Sequence, residues 1–317
     1  MSKHKSKGNI IDFWVQPPLM PFKILFDFKL KRLTRENRFN LPLSEATSPS
    51  MYKVGEQEGL NLLKKEMDEA GIDYGVTPGR NVPPGPKALD PAGTLSRMVT
   101  DQMLLDLSKS FDNRLFGLHG LDLSLSTNSL VAGLEWAVSK HGLCGAVMEL
   151  GHFAAPDGGI LSADHKKLYP LYETLSKLDV FLMHQSGMYA APDIGVNDWT
   201  PLDRVMQAFP QLKVVLAHGG YPRVVEALAL ATKHPNLYLS PDIYCHFPGG
   251  SLYLEAINML PDQFIYASAY PMGPLKESAE MALKFPLSSD VLEKYMYRNA
   301  ARLLRVSAAK PKRLQVA

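Results

Sequence analysis

The chain has 317 residues, 46% of them hydrophobic and 21% charged, and nearly balanced acids and bases leave a net charge of +2. Such a composition buries a large core and rules out a disordered chain, while the charge balance gives no footprint for nucleic acid or a membrane surface, leaving a small molecule or a protein as partner. Cys144 and Cys245 lack Cys-x-x-Cys spacing, which excludes a disulfide framework and a zinc ribbon.

Short apolar runs alternate with longer amphipathic stretches, the pattern of βα units that feed a parallel sheet. The first run, Asn9–Gln16, opens into a long connection at Pro17–Tyr52 rich in Phe, Lys, Arg and Pro, and a helix follows at Gly55–Ala70, stopped by Gly71. Next come Asp73–Thr77, a Pro- and Gly-dense loop at Pro78–Pro91 and a helix at Thr94–Ser110. Leu115–Leu121 is then followed by Ser129–Lys140, Leu143–Leu150 by His165–Lys177, and Val180–His184 by Pro201–Ala208. The last three units are Lys213–His218 with Pro222–Lys233, Leu237–Ser240 with Ser251–Leu260, and Phe264–Ser268 with Lys276–Lys284. Thr200-Pro201 and Ser251 supply N-cap chemistry.

Eight units predict an α/β fold, a (β/α)8 TIM barrel forming one domain over 9–306, with Ser289–Leu304 as an extra C-terminal helix closing its bottom or side. The polar or basic stretches 1–8 and 307–317 read as tails. A long first βα loop in such a barrel lies over the ligand site, as a lid or an interface arm. No run reaches the ~18 apolar residues of a membrane span. Met1 to Asn9 lacks the apolar stretch of a secretory signal, so a cytoplasmic location is expected.

Alternate residues of a strand share a face, so the last inward positions set what a ligand meets at the mouth. His184 ends strand five and His218, before Gly219-Gly220, ends strand six, which makes them a candidate metal pair. Glu149 at the end of strand four, His152 beyond it, and Asp242 and His246 after strand seven are further donors for a relocated N/O site. The competing reading pairs Glu149 with a nearby base and leaves His152 and His246 as partly exposed loop residues. Asp12 is expected to hydrogen-bond within the barrel top. Arg80 and Arg223 are either carboxylate clamps or solvated surface; Tyr244 and Tyr270 either line a pocket or simply pack. Met148 and Met183 read as core filling.

The stretches Asn197-Asp198-Trp199-Thr200-Pro201-Leu202-Asp203-Arg204 and Phe209-Pro210-Gln211-Leu212-Lys213-Val214-Val215-Leu216-Ala217-His218-Gly219-Gly220 resemble the central signature of the amidohydrolase-related group, which includes aminocarboxymuconate-semialdehyde and resorcylate-type decarboxylases. The likeness continues through Pro235-Asn236-Leu237-Tyr238, Ser268-Ala269-Tyr270-Pro271 and Asn299-Ala300-Ala301-Arg302-Leu303. It implies the barrel fold over nearly the whole chain. It also implies two histidines at the end of strand one, where Trp14 and Gln16 stand, and an aspartate on strand eight, where Ala269 stands.

An indole has no lone pair for a metal, an amide carbonyl is a poor replacement for imidazole, and a methyl group offers nothing. Sharing the ~10–16 kcal/mol of a structural zinc site over about five ligands leaves ~4–6 kcal/mol for two. That is a dissociation constant of roughly 10 μM to 1 mM. The expected cofactor is therefore none, or one weakly held divalent metal, zinc first. The leading functional expectation is a non-catalytic or accessory subunit, a homo- or hetero-oligomer with a similar, metal-bearing barrel. The alternative is a divergent hydrolase or decarboxylase-like lyase acting on a small carboxylated substrate through His184, His218 and Glu149, with Trp14, Gln16, His152, Asp242, Ala269 and Tyr270 around the pocket. A barrel that binds such a metabolite without turnover is a third.

Overall fold

The computed structural model describes residues 10–23, 54–81, 98–153, 161–188 and 194–306. Parallel strands β1 (Ile10–Asp12), β2 (Ile72–Pro78), β3 (Leu115–Gly120), β4 (Gly145–Met148), β5 (Phe181–His184), β6 (Lys213–Ala217) and β7 (Leu237–Ser240) neighbour one another in chain order. The eighth run does not form a strand, yet it fills the gap between β7 and β1. Ile265 N–H donates to the Leu239 carbonyl at 3.0 Å, and across the seam Phe13 N–H donates to Tyr266 at 3.0 Å and Gln16 N–H to Tyr270 at 3.2 Å. Its own ladder donors are diverted: Ser268 N–H goes to Asp12 Oδ1 and Tyr266 N–H to the Tyr295 carbonyl, both at 3.0 Å. The ring thus closes as a barrel, with an irregular seam where a strand was expected. β1 and β4 are also shorter than their apolar runs.

Helices α1 (Glu56–Ala70), α2 (Asp101–Ser110), α3 (Thr127–Ser139), α4 (Tyr169–Lys177), α5 (Thr200–Ala208), α6 (Val224–Lys233), α7 (Ser251–Met259) and α8 (Leu275–Ala282) follow the strands. Gly71 ends α1 with φ 74°, as expected, and Thr100 and Ser126 cap α2 and α3 through their side chains. The expected caps at Thr200 and Ser251 are not used: Asp198 Oδ1 accepts the Thr200 N–H at 3.0 Å, and α7 starts after Gly250 without a side-chain cap. The expected helix at Thr94–Ser110 is seen from Asp101, and its first residues, like most of Pro17–Tyr52 and Pro78–Pro91, lie outside the described residues.

Burial alternates along the strands and separates two layers. Ile11, Phe13, Val76, Leu118, Val147, Phe181, Met183 and Val215 form one cluster inside the ring. Ile10, Ile72, Ala146, Met148, Leu182, Val214 and Leu216 belong to a second, packed under the helices. At ~1.5–3 kcal/mol for each large apolar side chain, these layers dominate stability. The C-terminal segment runs as α9 (Ser289–Glu293), a π turn at Lys294–Arg298 and α10 (Asn299–Leu304). Tyr297, Ala300, Leu303 and Leu304 join the inner cluster, and Arg305 bonds Asp179 just before β5, so this segment closes the barrel bottom. Among the described residues no helix is long and apolar enough to cross a membrane.

Candidate functional site

Strand parity decides which side chains reach the mouth. In β5, Phe181 and Met183 lie in the inner cluster and Leu182 in the outer one, so His184 falls with Leu182 on the helix side. Its ring meets Trp199 edge-on at 5.7 Å, and its Nδ1 lies 3.0 Å from the Gln185 carbonyl. Burial pushes its pKa down to about 4, so it is a neutral core imidazole. The expected placement of His184 at the mouth is corrected by one residue: the side chain that enters there is Gln185.

His218 does reach the mouth. It follows the inward Ala217, but with φ 60° it leaves the strand in a left-handed turn. Its Nδ1 lies 2.5 Å from Asp242 Oδ2, and its Nε2 is 3.2 Å from the Gln185 amide nitrogen. The network assigns the proton: Nδ1–H donates to Asp242, Nε2 accepts from Gln185, and Gln185 Oε1 is left buried without a partner. Burial raises the Asp242 pKa, opposed by the nearby His218. The Trp14 ring lies 4.8 Å from the His218 ring, tilted by 58°, and Tyr244 lies 5.6 Å away, edge-on. Ser186 holds the turn, donating to the Ala217 carbonyl and accepting the Gly220 N–H at 3.0 Å. Gly187 is needed beside the imidazole, because a Cβ there would lie 3.3 Å from His218 Cδ2, at φ 101°. Gln185, Ser186 and Gly187 carry no sequence signal of their own; only the position of β5 beside β6 brings them into the site.

A second buried cluster sits at the tops of β2 and β4. Arg80 Nε and Nη2 reach Glu149 Oε1 and Oε2, each at 3.0 Å, and His152 Nε2 lies 3.4 Å from Arg80 Nη2. The competing reading of Glu149, partner to a nearby base, therefore describes what the structure contains. Arg80 does clamp a carboxylate, that of Glu149, and its Nη1 is buried with no hydrogen-bond partner. Arg223 is exposed and pairs with Glu226 at 3.6 Å, which settles it as surface. His246 is exposed as well.

Asp12 takes the structural role expected of it. Its Oδ1 accepts the Trp14 and Ser268 N–H groups, and burial pushes its pKa up to about 7. Ala269, 3% exposed, keeps φ 57°. Gln16 and Tyr270 are buried beside it, Tyr270 N–H donating to Ser268 Oγ at 3.0 Å.

Among the described residues no three His, Cys, Asp or Glu side chains converge as a metal would require. The relocated site expected from His184, His218 and Glu149 is not assembled, because the first faces the helices, the second is bound to Asp242 and the third to Arg80. Trp14 occupies space against the remaining imidazole. These donors do not fit a divalent ion.

The family model described as Amidohydrolase matches residues 65–306. An uncharacterized TIM-barrel protein, Bb4693 from Bordetella bronchiseptica, is 31% identical over 94% of this chain and 98% of that one, with a TM-score of 0.77. A 5-carboxyvanillate decarboxylase from Sphingomonas paucimobilis is similar in fold, at 18% identity, 96% and 100% coverage and TM-score 0.61. So is a dihydroxybenzoic acid decarboxylase from Polaromonas sp. JS666, solved with manganese and an inhibitor, at 15% identity, 96% and 99% coverage and TM-score 0.63. A search of curated proteins finds no match.

Proposed function

The chain belongs to the amidohydrolase family, and we propose that it is an acid–base enzyme, a hydrolase or a carbon–carbon lyase, acting on a small carboxylated substrate. The observation that carries this reading is the buried His218–Asp242 pair at the mouth of the barrel. Asp242 fixes the ring orientation and supports the positive charge when His218 takes up a proton, leaving Nε2 as the atom that exchanges it. In hydrolysis Nε2 takes the proton of the attacking water and returns it to the leaving group. In decarboxylation the electron pair of the broken C–C bond stays on carbon, and the imidazolium delivers the proton there. Gln185 must release Nε2 for either, at a cost of ~0.5–1.5 kcal/mol for one hydrogen bond.

The decarboxylases among structures of similar fold support an enzyme over an accessory subunit, and so does the dyad, which a barrel kept for its surface alone would not need. The test is a panel of small mono- and dicarboxylates assayed for hydrolysis and for CO2 release. His218→Asn and Asp242→Asn should each lower turnover by ~10²–10⁴-fold, while His184→Asn loses stability and keeps turnover. Undiminished turnover in His218→Asn would refute the assignment. A chain that turns over nothing and copurifies with a second, similar barrel would favour the accessory subunit.

A further inference from the structure

Arg80 is 6% exposed, and the two N–H groups of its Nη1 are buried with no acceptor. An unmet charged donor costs more than a neutral one, a cost that disappears when a ligand supplies the acceptor. The guanidinium is not adrift. Its Nε and Nη2 are forked on Glu149. Its backbone exchanges two hydrogen bonds with Val99, at 2.9 and 2.8 Å, and packs so closely on Gly120 that a Cβ there would lie 2.6 Å from Arg80 N. Asn81 Nδ2 ties the next residue to the Gly120 carbonyl at 2.6 Å. A charged donor held this rigidly is pre-organised for an anionic oxygen acceptor.

The ring order gives its place. With the seam segment as the eighth position, β2 and β6 are four places apart and face each other across the mouth. We propose that Nη1 of Arg80 docks a carboxylate of the ligand, on the opposite wall from His218 and Asp242. The substrate class narrows accordingly: it carries a carboxylate at the end remote from the bond that reacts. This rests on the function above for the identity of the reacting end, but the docking itself does not.

The experiment is calorimetric titration of the full chain with benzoate and with benzamide, which share a ring and differ in charge. Benzoate should bind at least about tenfold more tightly than benzamide, and Arg80→Lys should erase that difference while leaving benzamide unchanged. Lysine keeps a positive charge for Glu149. Should it not fold, the paired variant Arg80→Gln with Glu149→Gln leaves no buried charge unmatched and should show the same loss. His218→Asn should leave benzoate affinity within about twofold, so a failed turnover assay and a failed docking site remain distinguishable. The proposal is overturned if wild-type protein does not prefer benzoate, if the preference survives Arg80→Lys, or if it vanishes in His218→Asn instead.

Discussion

Replacing Glu149 by Gln would leave the Arg80 guanidinium buried without its counter-charge. The pair makes contacts of 3.0, 3.0 and 3.3 Å between side chains that are 7% and 13% exposed. In that setting the loss of one partner costs ~3–5 kcal/mol, because the survivor keeps its desolvation penalty. Set against a total of ~5–15 kcal/mol for a folded chain, this is a large fraction. Arg80→Met alone should cost a similar amount by stranding the carboxylate. The double change Arg80→Met with Glu149→Gln strands neither charge, so it should recover most of the loss, giving a coupling of at least ~2 kcal/mol. Equilibrium urea unfolding of the four proteins measures it through the midpoint at constant slope. Single costs that simply add, with coupling below ~0.5 kcal/mol, would refute the reasoning. They would mean that Glu149 is solvated and free for other chemistry.

Other consequences are as direct. Folded Asp12 holds its proton to about pH 7 against an ordinary carboxyl value of 3.8, burial being the main cause, so between those values the folded state carries more protons than the unfolded one. Stability therefore falls as pH rises through this window, by up to ~4 kcal/mol, and levels off above it. Glu66, also raised to about 7 by burial and then by Glu277, adds to the same slope. The comparison that matters is therefore Asp12→Asn against wild type across pH 4 to 8: parallel curves would contradict the assignment to Asp12. Gly219→Ala places a Cβ 2.8 Å from Pro241 Cα at φ 66°. It should destabilise by ~2–4 kcal/mol, from the left-handed backbone and from overpacking, and an unchanged urea midpoint would argue against it. Chelation with EDTA should leave the melting temperature where it was, and elemental analysis of untreated protein checks this independently; a stoichiometric, tightly held ion would show that the donors do converge.

The barrel was legible because burial in a parallel sheet under helices writes itself into every strand. Runs such as Val214-Val215-Leu216 supply both the inner and the outer layer. The site was legible only where a single residue sufficed. His218 stands out beside two glycines. His184 is the last strand residue and a histidine, but it shares the parity of Leu182, and Phe181 and Met183 fix Gln185 as the inward residue. Pairings such as Arg80 with Glu149, 69 residues apart, and His218 with Asp242, 24 apart, depend on which strand tops meet. No local pattern encodes that.

Three successive turns at the barrel mouth show why scaffold and chemistry separate so cleanly in this chain. His218, Asp242 and Ala269, at the tops of the sixth, seventh and eighth positions, all take positive φ, at 60°, 43° and 57°. An L-residue bears ~1–2 kcal/mol in that region, and aspartate relieves part of it through local hydrogen bonds that alanine cannot make. Ala269 nevertheless keeps the turn, because main-chain closure demands it: its carbonyl accepts the Met272 N–H at 2.9 Å, and the next carbonyl accepts the Gln16 N–H. The turn at Ala269 is thus held by main-chain hydrogen bonds that do not depend on its own side chain. One turn can carry a methyl group while the adjacent turns hold an imidazole and its aspartate in place. The roles proposed for His218, Asp242 and Arg80 therefore rest on those side chains themselves, and not on the scaffold that carries them.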